Sequence, residues 1–191
     1  MDGGINYLNI SNTPDAKYLF DWNLGFYFDF KMKEKLWLHT GVLVKSKIGA
    51  SGLQPYSLNN TYLDSAFVGG SVDRKLNYFN VPVLIKYRFV NYFHAEAGIM
   101  LGLRYKSFDY FIKSVDSEDD LSYHNDIRDN FKRLDAGGMA GLGYRFRKGA
   151  GLTLDVRYYY SFVDIDKVTE GSQNPSAFYI CGAIPIGKAK A

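Results

Sequence analysis

Residues 76–89 read LNYFNVPVLIKYRF, and from Phe79 onward every second residue is large and apolar: Phe79, Val81, Val83, Ile85, Tyr87 and Phe89. Between them stand Tyr78, Asn80, Pro82, Leu84, Lys86 and Arg88. A period of two puts alternate side chains on opposite faces of a strand, so this segment has one apolar face and one mostly polar face. Segments 21–31, 35–47, 93–106, 133–146 and 152–163 alternate in the same way, and 4–10 and 177–186 do so more weakly. That makes about eight strands, an even number of the kind single-chain membrane barrels have. The 191 residues suit one ordered domain spanning 1–191.

The connections sort by length. Turns near Lys33, Asn91 and Gly149 are short, whereas 11–20, 47–74, 107–130 and 164–176 are long. Short and long alternate strictly along the chain, which puts all short turns, and both termini, at one end of a barrel. Centring the strands on the short turns predicts pairs. About Asn91, Lys86 faces Glu96 and Phe89 faces Phe93. About Lys33, Asp21 faces Lys45 and Gly25 faces Gly41. About Gly149, Asp155 faces Gly143 and lies diagonal to Arg145. Opposite charges meet and like faces stay together.

The alternative to a membrane barrel is a soluble lipocalin-like barrel, with the apolar faces turned inward around a ligand. An eight-stranded interior is just wide enough to be filled by side chains. Five to seven apolar residues from each clear strand, many aromatic, would overfill it. The polar set carries Gly25, Gly41, Gly98, Gly102, Gly137, Gly141 and Gly143, which relieve crowding near an axis. The segments also run longer than the roughly 5–6 residues of a globular strand and match the about 9–11 of a tilted membrane strand. Aromatics end the apolar faces as interfacial girdles do. The expected fold is therefore an all-β, closed, antiparallel up-and-down transmembrane barrel. Phe26, Phe28, Val81, Val83, Ile85, Leu101, Leu142 and Leu154 face lipid. Pro82 is the awkward residue, because it cannot donate to a ladder. It faces the lumen, where water or a bulge can serve its neighbour.

Composition excludes other classes. A net charge of +3 is too weak to argue for nucleic acid. The single cysteine, Cys181, rules out an intramolecular disulfide framework. No run of 18 apolar residues makes a spanning helix. The opening MDGGINYLNI lacks the basic start and apolar core of a signal peptide.

The stretches YFNVPVLIKYRF and FHAEAGIMLGLRY, with the later LDAGGMAGLGYRF and LTLDVRYYYSFVDI, resemble the small outer-membrane β-barrel family that includes PorT-like proteins. That family has a strand of the form Y-x-x-x-P-x-x-x-K-Y before an x-x-x-E-x-G strand. It also has an R-Y-x-x-G-hydrophobic-x-D-I strand, in which Ser161 stands here where glycine is usual. The resemblance covers about residues 20–165. It implies location in the bacterial outer membrane and a link with protein export. The chain departs from the pattern at both ends: the export signal is missing, as in a mature form, and GAIPIGKAKA lacks the usual terminal aromatic.

The richest candidate cluster is a set of lumen charges: Lys45, Lys86, Arg88, Glu96, Arg104, Arg133, Asp135, Arg145, Asp155 and Arg157. Trp37, Tyr27, Tyr78 and Tyr159 fill the interior beside them, with Arg88, Arg104, Arg145 and Arg157 placed to pair with Glu96, Asp135 and Asp155. The set reads as an ion-pair plug, since buried charges need partners, or as an anion-attracting passage. His39, His94 and His124 are the only histidines. No nucleophile elbow accompanies them, so no catalytic residue is assigned and the chain is not expected to be an enzyme. No cofactor or metal set is read. The acidic run 114–126 lacks the spaced ligands of a calcium loop and is expected to be solvated. Segment 47–74 is different, because Leu53, Tyr56, Tyr62, Leu63 and Phe67 are too apolar for a free tail. It is expected to fold over the barrel mouth or meet a partner.

These readings define a non-enzymatic outer-membrane barrel, serving as an anchor, an interaction module or a secretion-associated component. Its expected partners are outer-membrane lipid or lipopolysaccharide and an envelope or secretion-machinery protein. A narrow anion-preferring channel and the lipocalin-like carrier stand as alternatives.

Overall fold

The computed structural model describes residues 1–89, 92–114, 120–146, 151–168 and 171–185. Nine strands form one antiparallel sheet: β1 (Asp2–Ile10), β2 (Leu19–Lys31), β3 (Leu36–Leu53), β4 (Ser71–Arg88), β5 (Phe93–Lys113), β6 (Leu121–Asp126), β7 (Leu134–Arg145), β8 (Thr153–Ser161) and β9 (Pro175–Ala183). Eight of them close into a barrel, because β4 pairs with β5 and β1 with β9. Closure leaves no open edge in the hydrocarbon, where an unpaired backbone group would cost several kcal/mol. The ninth, β6, pairs only with the far half of β5, at Phe108–Lys113. The near half of β5, from Phe93 to Leu103, pairs with β7 instead.

The phase of the alternation sets the faces. Phe26, Phe28, Val83, Ile85, Leu101, Leu142 and Leu154 stand exposed on the outer surface, and Val81 is half-buried on the same face. Tyr78, Tyr159, Tyr179, Met100 and Leu84 are fully buried inside. A soluble barrel with its apolar face inward would show the opposite. Aromatic pairs ring both ends of the outer band. Phe89 meets Phe93 and Phe93 meets Tyr144 at the short-turn end, and Phe79 stacks on Tyr105 and Tyr7 on Tyr18 at the other.

Two of the three expected registers hold. Lys86 pairs with Glu96, and Gly143 with Asp155. The turns near Asn91 and Gly149 themselves lie outside the described residues. The first hairpin differs: Tyr27, not Gly25, pairs with Gly41. Its turn closes with Met32 N–H donating to Leu36 C=O at 2.9 Å, which centres the hairpin on Glu34 rather than Lys33. Moving the centre by one residue shifts each partner by two, so the faces survive. A bulge between Leu24 and Gly25 then adds a residue on β3, and Lys45 pairs with Leu24. Pro82 is buried in the wall, and the β3 ladder skips it, pairing Thr40 with Val83 and Leu43 with Asn80.

The expected long connections 47–74 and 107–130 are strand over 47–53, 71–74, 107–113 and 121–126. β3 and β4 each run 18 residues and β5 runs 21. A membrane strand needs only about 9–11, so their far halves rise beyond the barrel as a ribbon that β6 widens. Inside this raised part the interior becomes apolar: Leu8, Ile10, Ile48, Leu53, Val72, Leu76, Phe111, Phe131 and Ile165 pack together. The bulges make this possible. In β3, Val42 and Val44 face outward, but beyond the bulge between Leu43 and Ser46 it is Ile48 and Ala50 that point inward.

Candidate functional site

At the short-turn end the lumen holds a buried ion network. Arg157 of β8 is its hub. Its guanidinium donates to Glu96 Oε1, to Asp2 Oδ2 at 3.0 Å and to Asp155 Oδ2 at 3.2 Å. Lys86 Nζ stands 3.6 Å from Glu96 Oε2 and 3.8 Å from Asp29 Oδ2. Both interior histidines join: His94 Nε2 lies 2.8 Å from Asp155 Oδ1, and His39 Nδ1 2.6 Å from Asp29 Oδ1. Arg157 Nη2 lies 3.3 Å from His39 Nε2, so that nitrogen accepts and Nδ1–H donates to Asp29.

Glycines position these pairs. Gly143 of β7 lies opposite His94 on one side and Asp155 on the other, and Gly141 lies opposite Glu96 and Arg157. A Cβ on Gly143 would run into the His94 ring and Asp155, and one on Gly141 would crowd Arg157 Cγ and the Val156 carbonyl. With no side chain on β7, groups from β5 and β8 meet across it. Above this layer sit Asn6, Asn23, Ser46, Asn80 and Cys181, all buried. Asn23 donates to Asn6, and Asn80 to Ser46 Oγ at 2.9 Å.

Several expected site residues lie elsewhere. Lys45 is not in the lumen: the bulge turns it outward, where its ammonium sits 3.0 Å from the ring centroid of Trp22. Arg104 faces inward but forms no ion pair among the described residues. It sits where strands give way to the turn at 128–133, and donates to the carbonyls of Arg128 at 2.7 Å, Phe131 at 2.9 Å and Lys132 at 3.1 Å. Asp135 binds hydroxyls instead of an arginine, accepting from Tyr159 at 2.7 Å and from Ser161. The serine at the usual glycine position thus anchors a buried carboxylate. Arg88 lies over the Trp37 ring at 5.1 Å, while Arg133, just before β7, and Arg145, its last residue, are exposed. The placement of Lys86, Glu96, Asp155 and Arg157 follows from strand parity. Asp2 and Asp29 went unread because the first strand is weakly patterned and Asp29 lies in a strongly aromatic run.

The opposite end carries a second polar construction. Arg74 of β4 grips Asp109 of β5 with two hydrogen bonds, 2.9 and 2.8 Å, and Asp109 is wholly buried. Tyr56 Oη donates to the same carboxylate at 3.1 Å and receives Asn125 Nδ2 at 3.0 Å. This fastens segment 54–70 to the ribbon. Burial, then the charge of Asp109, push the Tyr56 phenol up to about 12. Within the segment, the Asn60 side chain caps the helix α1 (Thr61–Ala66), accepting from Tyr62 and Leu63 N–H. Asp64 accepts from Leu58 N–H and Ser57 Oγ, both at 2.7 Å, which holds its carboxyl below its ordinary pKa. A pocket of about 460 Å³ lies beneath, walled by Tyr56, Leu58, Leu63, Phe67 and Phe111. Tyr62 is 79% exposed at the tip. The segment is thus folded and fastened to the ribbon by Tyr56. Of the acidic run, residues 115–119 lie outside the described residues.

A closed barrel with an apolar exterior, a polar lumen and aromatic girdles is an integral outer-membrane protein. The family of the outer membrane protein beta-barrel domain matches residues 1–167, and the chain belongs to it; it is a protein of the bacterial outer membrane. Among solved structures, the chain is similar to Neisserial surface protein A, with 10% identity, 96% of this chain and 94% of that one covered, and a TM-score of 0.52. It is also similar to Ail, the attachment invasion locus protein of Yersinia pestis, in complex with the heparin analogue sucrose octasulfate. There the identity is 12%, the coverage 95% and 93%, and the TM-score 0.50. At such identities the likeness concerns the fold. No curated protein sequence matches the chain significantly.

Proposed function

We propose that this barrel is a non-enzymatic anchor whose lumen is closed and whose raised outer ribbon, with segment 54–70, binds a partner at the cell surface or in the envelope. The observation that carries the reading is the double occlusion of the interior. The network around Arg157 fills the short-turn end, and the apolar cluster of Ile48, Leu76, Phe111 and Phe131 fills the other. An eight-stranded barrel leaves about enough room for side chains alone. Outward of it, the ribbon sets an ordered, partly apolar segment on a rigid base, the usual arrangement for recognition. Ail carries a polysulfated ligand in its complex, and that supports looking first for anionic glycans, lipopolysaccharide included, among the partners. The resemblance to PorT-like strands supports a secretion-machinery protein as the next class to try.

Planar bilayers and a loop deletion test this. The purified chain should show no steady conductance. Replacing 57–68 by a short glycine linker should leave heat-modifiable gel migration unchanged while abolishing capture of lipopolysaccharide or of an envelope protein. Large, stable, anion-selective currents would overturn the reading.

A further inference from the structure

We propose that His94, Glu96 and Asp155 form a binding site for one divalent ion of the zinc class at the short-turn end of the lumen. One ligand atom of each lies within 4.8 Å of the others, and all three residues are buried. Spacing along the chain gives no sign of the group. His94 and Glu96 share the inner face of β5, and Asp155 joins them from β8 only because Gly143 leaves the gap open.

The arginine and the ion use different oxygens. Arg157 takes Glu96 Oε1 and Asp155 Oδ2. That leaves Glu96 Oε2 and the pair Asp155 Oδ1 and His94 Nε2, whose 2.8 Å hydrogen bond an ion would replace as the imidazole proton moves to Nδ1. Glu96 Oε2 is buried without a hydrogen-bond partner among the described residues, its one charged neighbour there being Lys86 Nζ at 3.6 Å, an ion pair longer than a hydrogen bond. Asp2 Oδ1 is orphaned in the same network. A buried acceptor without a hydrogen bond is costly, and a coordinated cation would give Glu96 Oε2 a direct partner.

Charge points the same way. The groups in mutual contact are the carboxylates of Asp2, Asp29, Glu96 and Asp155 and the cations Lys86 and Arg157. Among the described residues of this network, four carboxylates face two lysine or arginine cations. Arg88 and Arg145 lie nearer the rim, where solvent screens them. One divalent ion balances the cluster. One imidazole and two carboxylates suit zinc and its first-row neighbours and are too few for the oxygen cage of calcium. Arg157 then orients both carboxylates from outside the coordination sphere. Entry is from the short-turn end, where the Asp29 side chain is 32% exposed.

The experiment uses the whole chain in detergent, stripped of metal and titrated with Co²⁺ or Zn²⁺ alone. One ion should bind per chain, with a visible Co²⁺ spectrum of low coordination number and one imidazole by X-ray absorption. His94→Gln and Glu96→Gln should each weaken Zn²⁺ binding at least tenfold, and His124→Gln, an exposed position, should leave it unchanged. Absence of saturable binding would overturn the proposal, leaving hydration as the fate of Glu96 Oε2. So would binding that survives both variants. Should either variant fail to fold, X-ray absorption on the unaltered chain decides, and any imidazole count other than one defeats the site.

Discussion

Glu96 and Arg157 form a buried ion pair across a strand that lies between them, each registered opposite Gly141 of β7. The pair belongs to β5 and β8, which share no backbone hydrogen bond, so it ties three strands at a level where the glycine offers nothing of its own. Arg157→Met should destabilise the barrel by about 3–5 kcal/mol, because Asp2 and Asp155 lose their arginine and Glu96 keeps only Lys86 at 3.6 Å. Adding Glu96→Met should recover part of that loss. Urea titration in detergent, followed by the fluorescence of Trp37 and Trp22, measures both. Equal or additive losses would mean that Arg157 contributes packing rather than charge.

Depth decides the cost of a cation on the outer face. Ile99 is 50% exposed and pairs with Val83 near mid-strand, while Leu134 is 67% exposed at the outer end of β7. Ile99→Arg should cost about 2–4 kcal/mol and Leu134→Arg about 0–1 kcal/mol. Reversible unfolding from liposomes reads the difference. Equal costs at the two positions would remove the lipid contact from Ile99.

Segment 54–70 should come loose without the barrel. Asp109→Asn removes the charge that Arg74 grips with two hydrogen bonds and Tyr56 with one. Limited proteolysis should then cut between residues 54 and 70 at least tenfold faster, while gel mobility before and after boiling stays that of the parent. Loss of the folded band would show that the ribbon supports the membrane part.

The same segment should have a pH window. The Tyr56 phenol titrates near 12 against an ordinary 10. The folded form therefore holds its proton more tightly, and this contribution is complete below pH 10 and lost as pH rises toward 12. Asp64 is the mirror case: its lowered value stabilises the segment above the ordinary 3.8 and is lost as pH falls through its folded value. Protease sensitivity of the segment should rise at both extremes. Tyr56→Phe should abolish the alkaline step alone, and Asp64→Asn the acid one.

The alternation itself carries the membrane reading. A strand that sets Phe79, Val81, Val83 and Ile85 against Asn80, Pro82 and Lys86 has two faces suited to different solvents, and parity alone put Lys86, Glu96, Asp155 and Arg157 inside. Three things were decided only by the tertiary structure. The bulge on β3 moved Lys45 from lumen to surface and turned Ile48 inward, and an added residue inverts parity without leaving a mark in composition. The outer ends of β3, β4 and β5 (48–53, 71–74 and 107–113) and all of β6 read as loop, because beyond the bilayer the alternation no longer has to separate lipid from water. The grouping of His94 with Asp155, and of Glu96 with Arg157, rests on which glycines fall opposite them. Local residue types fix the face each side chain takes, since the pleat dictates it, but only strand register determines which side chains meet across the barrel.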